Sequence, residues 1–360
     1  MFMPATKDKN TRCITFAEAV REATLQSMER DDTILVMGLG ATDPTGVFGT
    51  TLGLKEQFGG ERVYDIPCSE NAVTGVLVGL AISGFRPILS HQRADFMLMS
   101  MDQIINNSAK WNYMFGGQVP VPIVIRTIVG RGWGQGPQHS QNFQAMFAQV
   151  PGLKVVSPTT PYQAKGLMVA AIEDPDPVIF VEHRWLHNQV GNVPTDYYSM
   201  PIGKASVLKS GADLTVVTSL DMTVQTLNIA EKIRPQNIDI EIIDLCSVKP
   251  LDEEAILTSV RKTGRLLVID SSWKDFGVAS QVAALVAEKG NGFLKSVIRR
   301  MGLPDIPSPS TPALSKSYYP RTKDICEVIG SMLDIKIDMT LFGEDTLSHD
   351  VPDSFFKGPF

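Results

Sequence analysis

The sequence has few cysteines, little net charge and no long apolar run. Cys13, Cys68, Cys246 and Cys326 are its only cysteines, scattered over 360 residues without CxxC spacing. That pattern supplies neither a disulfide framework nor a zinc site, and it points to a reducing, cytoplasmic compartment. No run of about 18 or more apolar residues occurs, so no membrane span is expected. The N-terminal stretch MFMPATKDKNTRC lacks the apolar centre of a signal peptide. A formal net charge of −6 excludes a general nucleic-acid binder, which needs a basic face for phosphates. No GxxxxGK followed by Ser or Thr is present, so there is no P-loop. The stretch GLGATDPTG at 38–46 holds glycines but not the GxGxxG spacing of a dinucleotide site.

What is present is a regular alternation. The segment TFAEAVREATLQSME (15–29) has apolar residues at helical spacing, with Thr15 as N-cap and Glu18 three residues later. Short apolar strands follow at TILVMG (33–38), ERVYDIPCSE (61–70), RPILSHQ (86–92), VPIVIRT (121–127), LKVVSP (153–158) and PVIFVEH (177–183). Helical stretches lie between them, beginning near Asn71, over 98–115 and over 161–173. Strands separated by helices predict a parallel sheet covered on both faces, an α/β fold. Residues 184–212 are polar and turn-rich and read as a linker. The alternation then resumes through ADLTVVTSL, IDIEIIDL and RLLVID, closing with the proline-rich stretch 304–320. Two parallel-sheet α/β domains are expected, over 1–195 and 200–335, with a C-terminal tail over 336–360.

In open α/β sheets ligands collect at the carboxyl ends of strands. Three candidates fall there in the first domain. Glu70 ends DIPCSE and opens a helix, where an acid serves either as dipole partner or as a functional group. Phe96 sits in HQRADF and reads alone as core packing. His139, in the loop after VPIVIRT, is either a loop hydrogen-bonding residue or a reactive group. His183 and His187 have metal-like spacing in HRWLH but no third ligand nearby, so they read as surface residues.

The ordered segments TFAEAVREA, GVFGTTLGLKEQFGGERVYDIPCSE, ADFMLMSMDQIINNSAKW, QHSQ, PGLKVVSPTTPYQAKGLMVAAIEDPDPVIFVE, IIDLCSVKPLDEEAI and KTGRLLVID lie within a resemblance that runs over about residues 14–330. Together they resemble the β subunits of the thiamine-diphosphate-dependent 2-oxoacid dehydrogenases, the pyruvate, branched-chain and acetoin enzymes. The resemblance implies a transketolase-like pyrimidine-binding domain followed by a transketolase C-terminal domain. It also assigns roles. Glu70 corresponds to the glutamate that bonds the aminopyrimidine ring of the cofactor, Phe96 to the aromatic residue stacked on it, and His139 to the histidine that meets substrate and acyl adduct. Ile123, Ala171, Ile172, Asp174 and Asp176 correspond to a structural monovalent-cation (K⁺) site of some members. The family's diphosphate and Mg²⁺ motif, GDG with later asparagines, is absent here and belongs to an α subunit, which implies an α₂β₂ assembly. A lipoylated acyltransferase is the implied acyl acceptor. The alternative is a split transketolase-like carboligase of a specialised pathway; a non-catalytic structural subunit is the third reading.

Three positions depart from the family pattern. Gly38-Leu39-Gly40 stands where a glutamate usually follows the first glycine, which removes an acid from the proton path between sites. Arg93 replaces an apolar or aromatic residue near the cofactor. It reads either as a surface or interface arginine or as a binder of a substrate carboxylate or phosphate. Cys246 stands where arginine is common.

Overall fold

The computed structural model describes residues 10–342 except residue 133. Of the expected tail, residues 343–360 lie outside the described residues. Two compact units emerge: residues up to 129 with 146–202, and residues 130–145 with 203 onward. The chain therefore crosses early. The loop that carries His139 leaves the first unit's sheet and packs within the second.

The first unit begins with β1 (Thr11–Thr15) and the helix Phe16–Arg30, then β2 (Ile34–Gly38), β3 (Val63–Tyr64), the helix Glu70–Ile82, β4 (Arg86–His91) and β5 (Val124–Val129). It continues through β6 (Lys154–Ser157), the helix Pro161–Glu173, β7 (Val178–His183) and β8 (Val190–Pro194). Strands β3, β2, β4, β5, β7 and β6 lie side by side in that order and run parallel. Every residue of β2, β5 and β7 is buried, as expected when helices cover both faces. The expected capping box holds: Glu18 N–H donates to Thr15 Oγ1 at 3.2 Å and Thr15 N–H to Glu18 Oε2 at 2.8 Å. The same device starts the helix at Pro161, where Thr160 and Gln163 bond each other's backbone.

The second unit contains β9 (Ser206–Lys209), β10 (Leu214–Thr218), β11 (Ile240–Asp244), β12 (Cys246–Lys249), β13 (Leu266–Trp273) and β14 (Arg299–Leu303). Its sheet has the order β14-β13-β10-β11-β9, parallel except for β9 at the edge. Helices Leu220–Ile233, Glu253–Thr263, Val278–Lys289 and Thr322–Leu333 belong to the same unit. Cys246 adopts a positive φ of 53°, and burial pushes its thiol well above the ordinary range.

Two readings need correction. The stretch 184–212 is not a bare linker: β8 pairs antiparallel with β1, and β9 pairs with β11. The helical stretch 98–115 is broken into a 3₁₀ turn at Leu98–Ser100, a π-helical segment at Gln103–Ser108 and an α-helix at Ala109–Met114. The proline-rich stretch 304–320 contains the helix Pro312–Tyr318, because Pro312 sits in the first turn, where its missing N–H costs nothing.

Candidate functional site

Strand order in the first unit reverses at β2. The chain moves from β2 outward to β3, then back across to β4 on the other side. Ligand crevices in open α/β sheets form beyond the carboxyl ends of strands at such a point. The two flanking strand ends touch closely here. A Cβ on Gly38 would meet Ser90 O at 2.7 Å, so β2 can approach β4 only with glycine at this position. Gln92 Nε2 donates to Leu39 O at 3.0 Å and ties the two loops together. Leu39 itself is 37% exposed, so an apolar side chain faces out where the resemblance expects an acid.

Glu70 is the first residue of its helix, where its charge favours the exposed N–H groups of the first turn. It is only 9% exposed, and its Oε2 is buried with no protein donor. A buried carboxylate oxygen without a donor is costly. The missing donor is what a bound heterocycle with an N–H or protonated ring nitrogen would bring, so this residue fits an aminopyrimidine. Beyond β4, Arg93 is the N-cap residue of the short helix Ala94–Met97, which carries the half-buried Phe96. Arg93 is 5% exposed, which removes the surface-residue reading. Burial lowers its pKa to about 10, opposed by the charge of Asp95, so it remains a cation at neutral pH.

His139 lies in the loop that follows β5, with its N–H donating to Gly136 O at 3.3 Å. That loop is anchored by buried amides. Asn142 Oδ1 accepts from Gly130 N–H at 3.0 Å, and its Nδ2 donates to Ser271 O at 2.9 Å and Oγ at 2.8 Å. Gln144 Nε2 donates to Asp270 Oδ1 at 3.0 Å. Arg131 lies 3.6 Å over the ring of Tyr319. Asp270 and Ser271 belong to β13, just beyond Ile269, its last residue paired with β10, and the second sheet reverses its own strand order between these two strands. Asp221, in the first turn of the helix Leu220–Ile233 that follows β10, is pushed up to about 7 by burial, partly offset by Arg131. Sequence reading missed Asn142, Gln144 and Asp270, since an amide in a polar loop carries no signal until its partner is known.

His183 and His187 are buried, which overturns their reading as surface residues. His183 Nδ1 accepts from Trp185 N–H at 3.3 Å. His187 Nε2 meets Glu182 Oε2 at 3.1 Å, and Glu182 also bonds Arg126 at 2.7 and 3.0 Å. The Arg126 charge and the His187 contact hold Glu182 down at about 2 against the opposing effect of burial.

The five residues of the implied K⁺ site lie at the amino-terminal edge of β5, β6 and β7, the opposite end of the strands from Glu70. Polar groups of Ile123, Ile172, Asp174 and Asp176 already have partners. Arg86 donates to Ile172 O at 2.8 Å and Asp174 O at 3.4 Å, and Ile123 O accepts from Val178 N–H at 3.0 Å. The carboxylates of Asp174 and Asp176 receive Lys154 Nζ at 2.7 and 3.2 Å. The acidic side chains are thus taken by a lysine, and any cation there would rely on carbonyl lone pairs. Among the described residues no cluster of three or more His, Cys, Asp or Glu is arranged for a metal ion, and no helix is long and apolar enough to cross a membrane.

Comparison with known proteins also divides the chain in two. Residues 12–189 match the family model for the pyrimidine-binding domain of transketolase, and residues 203–325 match its C-terminal domain. The chain is 39% identical over 349 residues to the β subunit of acetoin:2,6-dichlorophenolindophenol oxidoreductase from Bacillus subtilis, covering 94% of this chain and 99% of that one. It is 41% identical to the 2-oxoisovalerate dehydrogenase β subunit of Bacillus subtilis, over 85% of this chain and 94% of the relative. It is 39% identical to the pyruvate dehydrogenase E1 component β subunit of Rickettsia bellii, over 90% and 99% respectively. Among solved structures, a split-gene transketolase described as an inactive β4 tetramer has the same fold, with a TM-score of 0.72 at 23% identity, covering 90% of this chain and 99% of that one.

Proposed function

This chain belongs to the family of β subunits of thiamine-diphosphate-dependent 2-oxoacid dehydrogenases, and from that premise we propose that it forms one half of an active site that cleaves a 2-oxo acid or related ketone and passes the acyl group to a lipoyl acceptor. The observation that carries the proposal is Glu70, a buried carboxylate at a helix start with one oxygen lacking any protein donor. When bound, thiamine diphosphate supplies a nucleophilic carbon and an electron sink. Glu70 exchanges a proton with the pyrimidine ring nitrogen, and its burial keeps water from competing for that proton. Phe96 presents an aromatic face for stacking on the ring. His139 is assigned to the substrate side, and the ties of Asn142 and Gln144 hold the loop that carries it.

The chain lacks a GDG motif, and no acidic cluster for Mg²⁺ occurs among the described residues. We assign the diphosphate and Mg²⁺ to an α partner in an α₂β₂ assembly in the cytoplasm. A K⁺ ion held by the carbonyls of Ile123, Ala171, Ile172, Asp174 and Asp176 is the most peripheral part of the assignment, and comparing thermal midpoints in K⁺ and choline buffers tests it. The test of the whole is turnover by the co-purified partners across a panel of 2-oxo acids and acyloins with an artificial electron acceptor. Turnover that requires added thiamine diphosphate and Mg²⁺ supports the proposal, and cofactor-independent or absent turnover on the entire panel defeats it. The second reading, a split transketolase-like carboligase, is favoured by Arg93, a buried cation where an apolar residue is usual. Product analysis with an aldehyde acceptor replacing the electron acceptor separates the two.

A further inference from the structure

The opposite faces of β4, β5 and β7 are built differently. On one face Ser90, Arg126 and Glu182 form a closed network with Thr50 and His187, in which Arg126 bonds Glu182, Ser90 and Thr50. On the other, His91 of β4 is in register with Thr127 of β5, which is in register with Val181 of β7. His91 Nε2 and Thr127 Oγ1 are both buried, and neither has a protein hydrogen-bond partner. Parallel strands lie about 4.8 Å apart, and register partners point to the same face, so these two orphaned polar atoms belong to one place. Paired orphans in a native core call for an explanation, and a ligand is one.

Two arginines lie beyond the ends of these strands. Arg93 lies two residues past His91, after a bend at Gln92, with its own backbone extended. Arg184 opens the turn after β7 and is 2% exposed. The strands that deliver them are separated only by β5, so their backbones are roughly 10 Å apart and both side chains can reach the end of β5. Their charges interact: burial and then the charge of Arg93 lower Arg184 to about 9, while Arg93 itself feels Asp95. Burial lowers His91 to about 4, so at neutral pH it is an uncharged imidazole able to present an N–H. Glu182 is committed to the other face. The surroundings thus hold two guanidinium groups, an imidazole and a hydroxyl, with the carboxylate of Asp95 acting on Arg93. A site so rich in donors selects a ligand made of acceptors.

We propose that His91, Arg93, Thr127 and Arg184 form an anion subsite that holds a phosphate or carboxylate at the far end of the substrate, remote from the carbonyl that reacts. The substrate class is then a 2-oxo acid or ketone with a second anionic terminus. This rests on the catalytic reading above only in making the anion part of the substrate; anion binding itself does not depend on it.

The test is calorimetric titration of inorganic phosphate, and separately of succinate, into the chain co-purified with its partner. Saturating Mg–thiamine diphosphate is present so that groups serving the diphosphate are occupied. The expected result is saturable binding of one anion, weakened about tenfold in Arg184→Lys, which keeps the charge but loses the bidentate fork, and more than about a hundredfold in Arg184→Met. Thr127→Val, nearly isosteric, should weaken it about fivefold and serves if the arginine variants fail to assemble. Preference for phosphate identifies a phosphorylated substrate and preference for succinate a dicarboxylic one. Absence of saturable binding in the wild type, or equal affinity in wild type and assembled variants, overturns the subsite. A complex that binds the anion but turns over nothing with thiamine diphosphate keeps the subsite and loses the catalytic reading; turnover without anion binding does the reverse.

Discussion

Glu182→Gln is the perturbation whose size follows most directly from the structure. Arg126 is among the largest fully buried side chains, and Glu182 meets it through Nε at 2.7 Å and Nη2 at 3.0 Å. The amide keeps the shape but removes the charge, leaving a guanidinium in the sheet with only the hydroxyls of Thr50 and Ser90 and a neutral amide. Breaking one partner of such a pair costs about 3–5 kcal/mol. The pH dependence carries the matching sign. The Arg126 charge and the His187 contact hold Glu182 well below its ordinary value against the opposing effect of burial, so the fold favours the ionised carboxylate. The sign is that of a depressed acid: the stabilisation is fully present above pH ~4.5 and is lost as pH falls through about 2. Denaturant midpoints of wild type and Glu182→Gln, measured from pH 7 down to 2, test this. The variant should be less stable by about 3–5 kcal/mol at pH 7, and the gap should close towards pH 2. A loss below about 1 kcal/mol at neutral pH, or a gap that stays constant with pH, would refute the reasoning.

Other perturbations probe the site itself. Glu70→Gln should leave assembly intact, by gel filtration, and lower kcat about 10²–10⁴-fold, since an amide keeps the hydrogen bond but cannot give up a proton; near-wild-type turnover would remove Glu70 from the chemistry. Asn142→Ala removes both the tie to Gly130 and the ties to Ser271, so hydrogen exchange of the peptide covering 130–145 should quicken while the remainder of the second unit is unchanged. Asp221 is raised to about 7. Between its ordinary value near 4 and about 7 the folded chain therefore holds a proton that the unfolded chain has lost, and stability falls as pH rises across that window. Asp221→Asn should raise the thermal midpoint at pH 8 and flatten that slope; an unchanged slope would show that another group carries it.

Much of the fold is legible because the central strands of the two sheets are buried on both faces and read as apolar runs between helices. The capping pair Thr15 and Glu18 is visible for the same local reason: both partners lie within one turn. What sequence missed depends on distant partners. Strand β8 looks like linker because its pairing is with β1, some 180 residues earlier in the chain. His187 looks like a surface residue because its burial follows from Glu182, which is itself fixed by Arg126, 56 residues away. At the site, Glu70, Phe96 and His139 were placed by motif and position at strand ends. His91 and Arg184 were not, because an unpartnered imidazole nitrogen is a property of packing and has no motif. Arg93 was visible as a departure, but its burial, which removes the surface reading, was not.

The central claim is that this chain carries the pyrimidine half of a cofactor site and lacks the diphosphate half. Calorimetric titration of thiamine diphosphate with Mg²⁺ into the isolated chain, and into the chain assembled with its α partner, tests it most directly. The account predicts no tight binding to the isolated chain and tight, Mg²⁺-dependent, saturable binding to the assembly. Tight Mg²⁺-dependent binding by the isolated chain would contradict it.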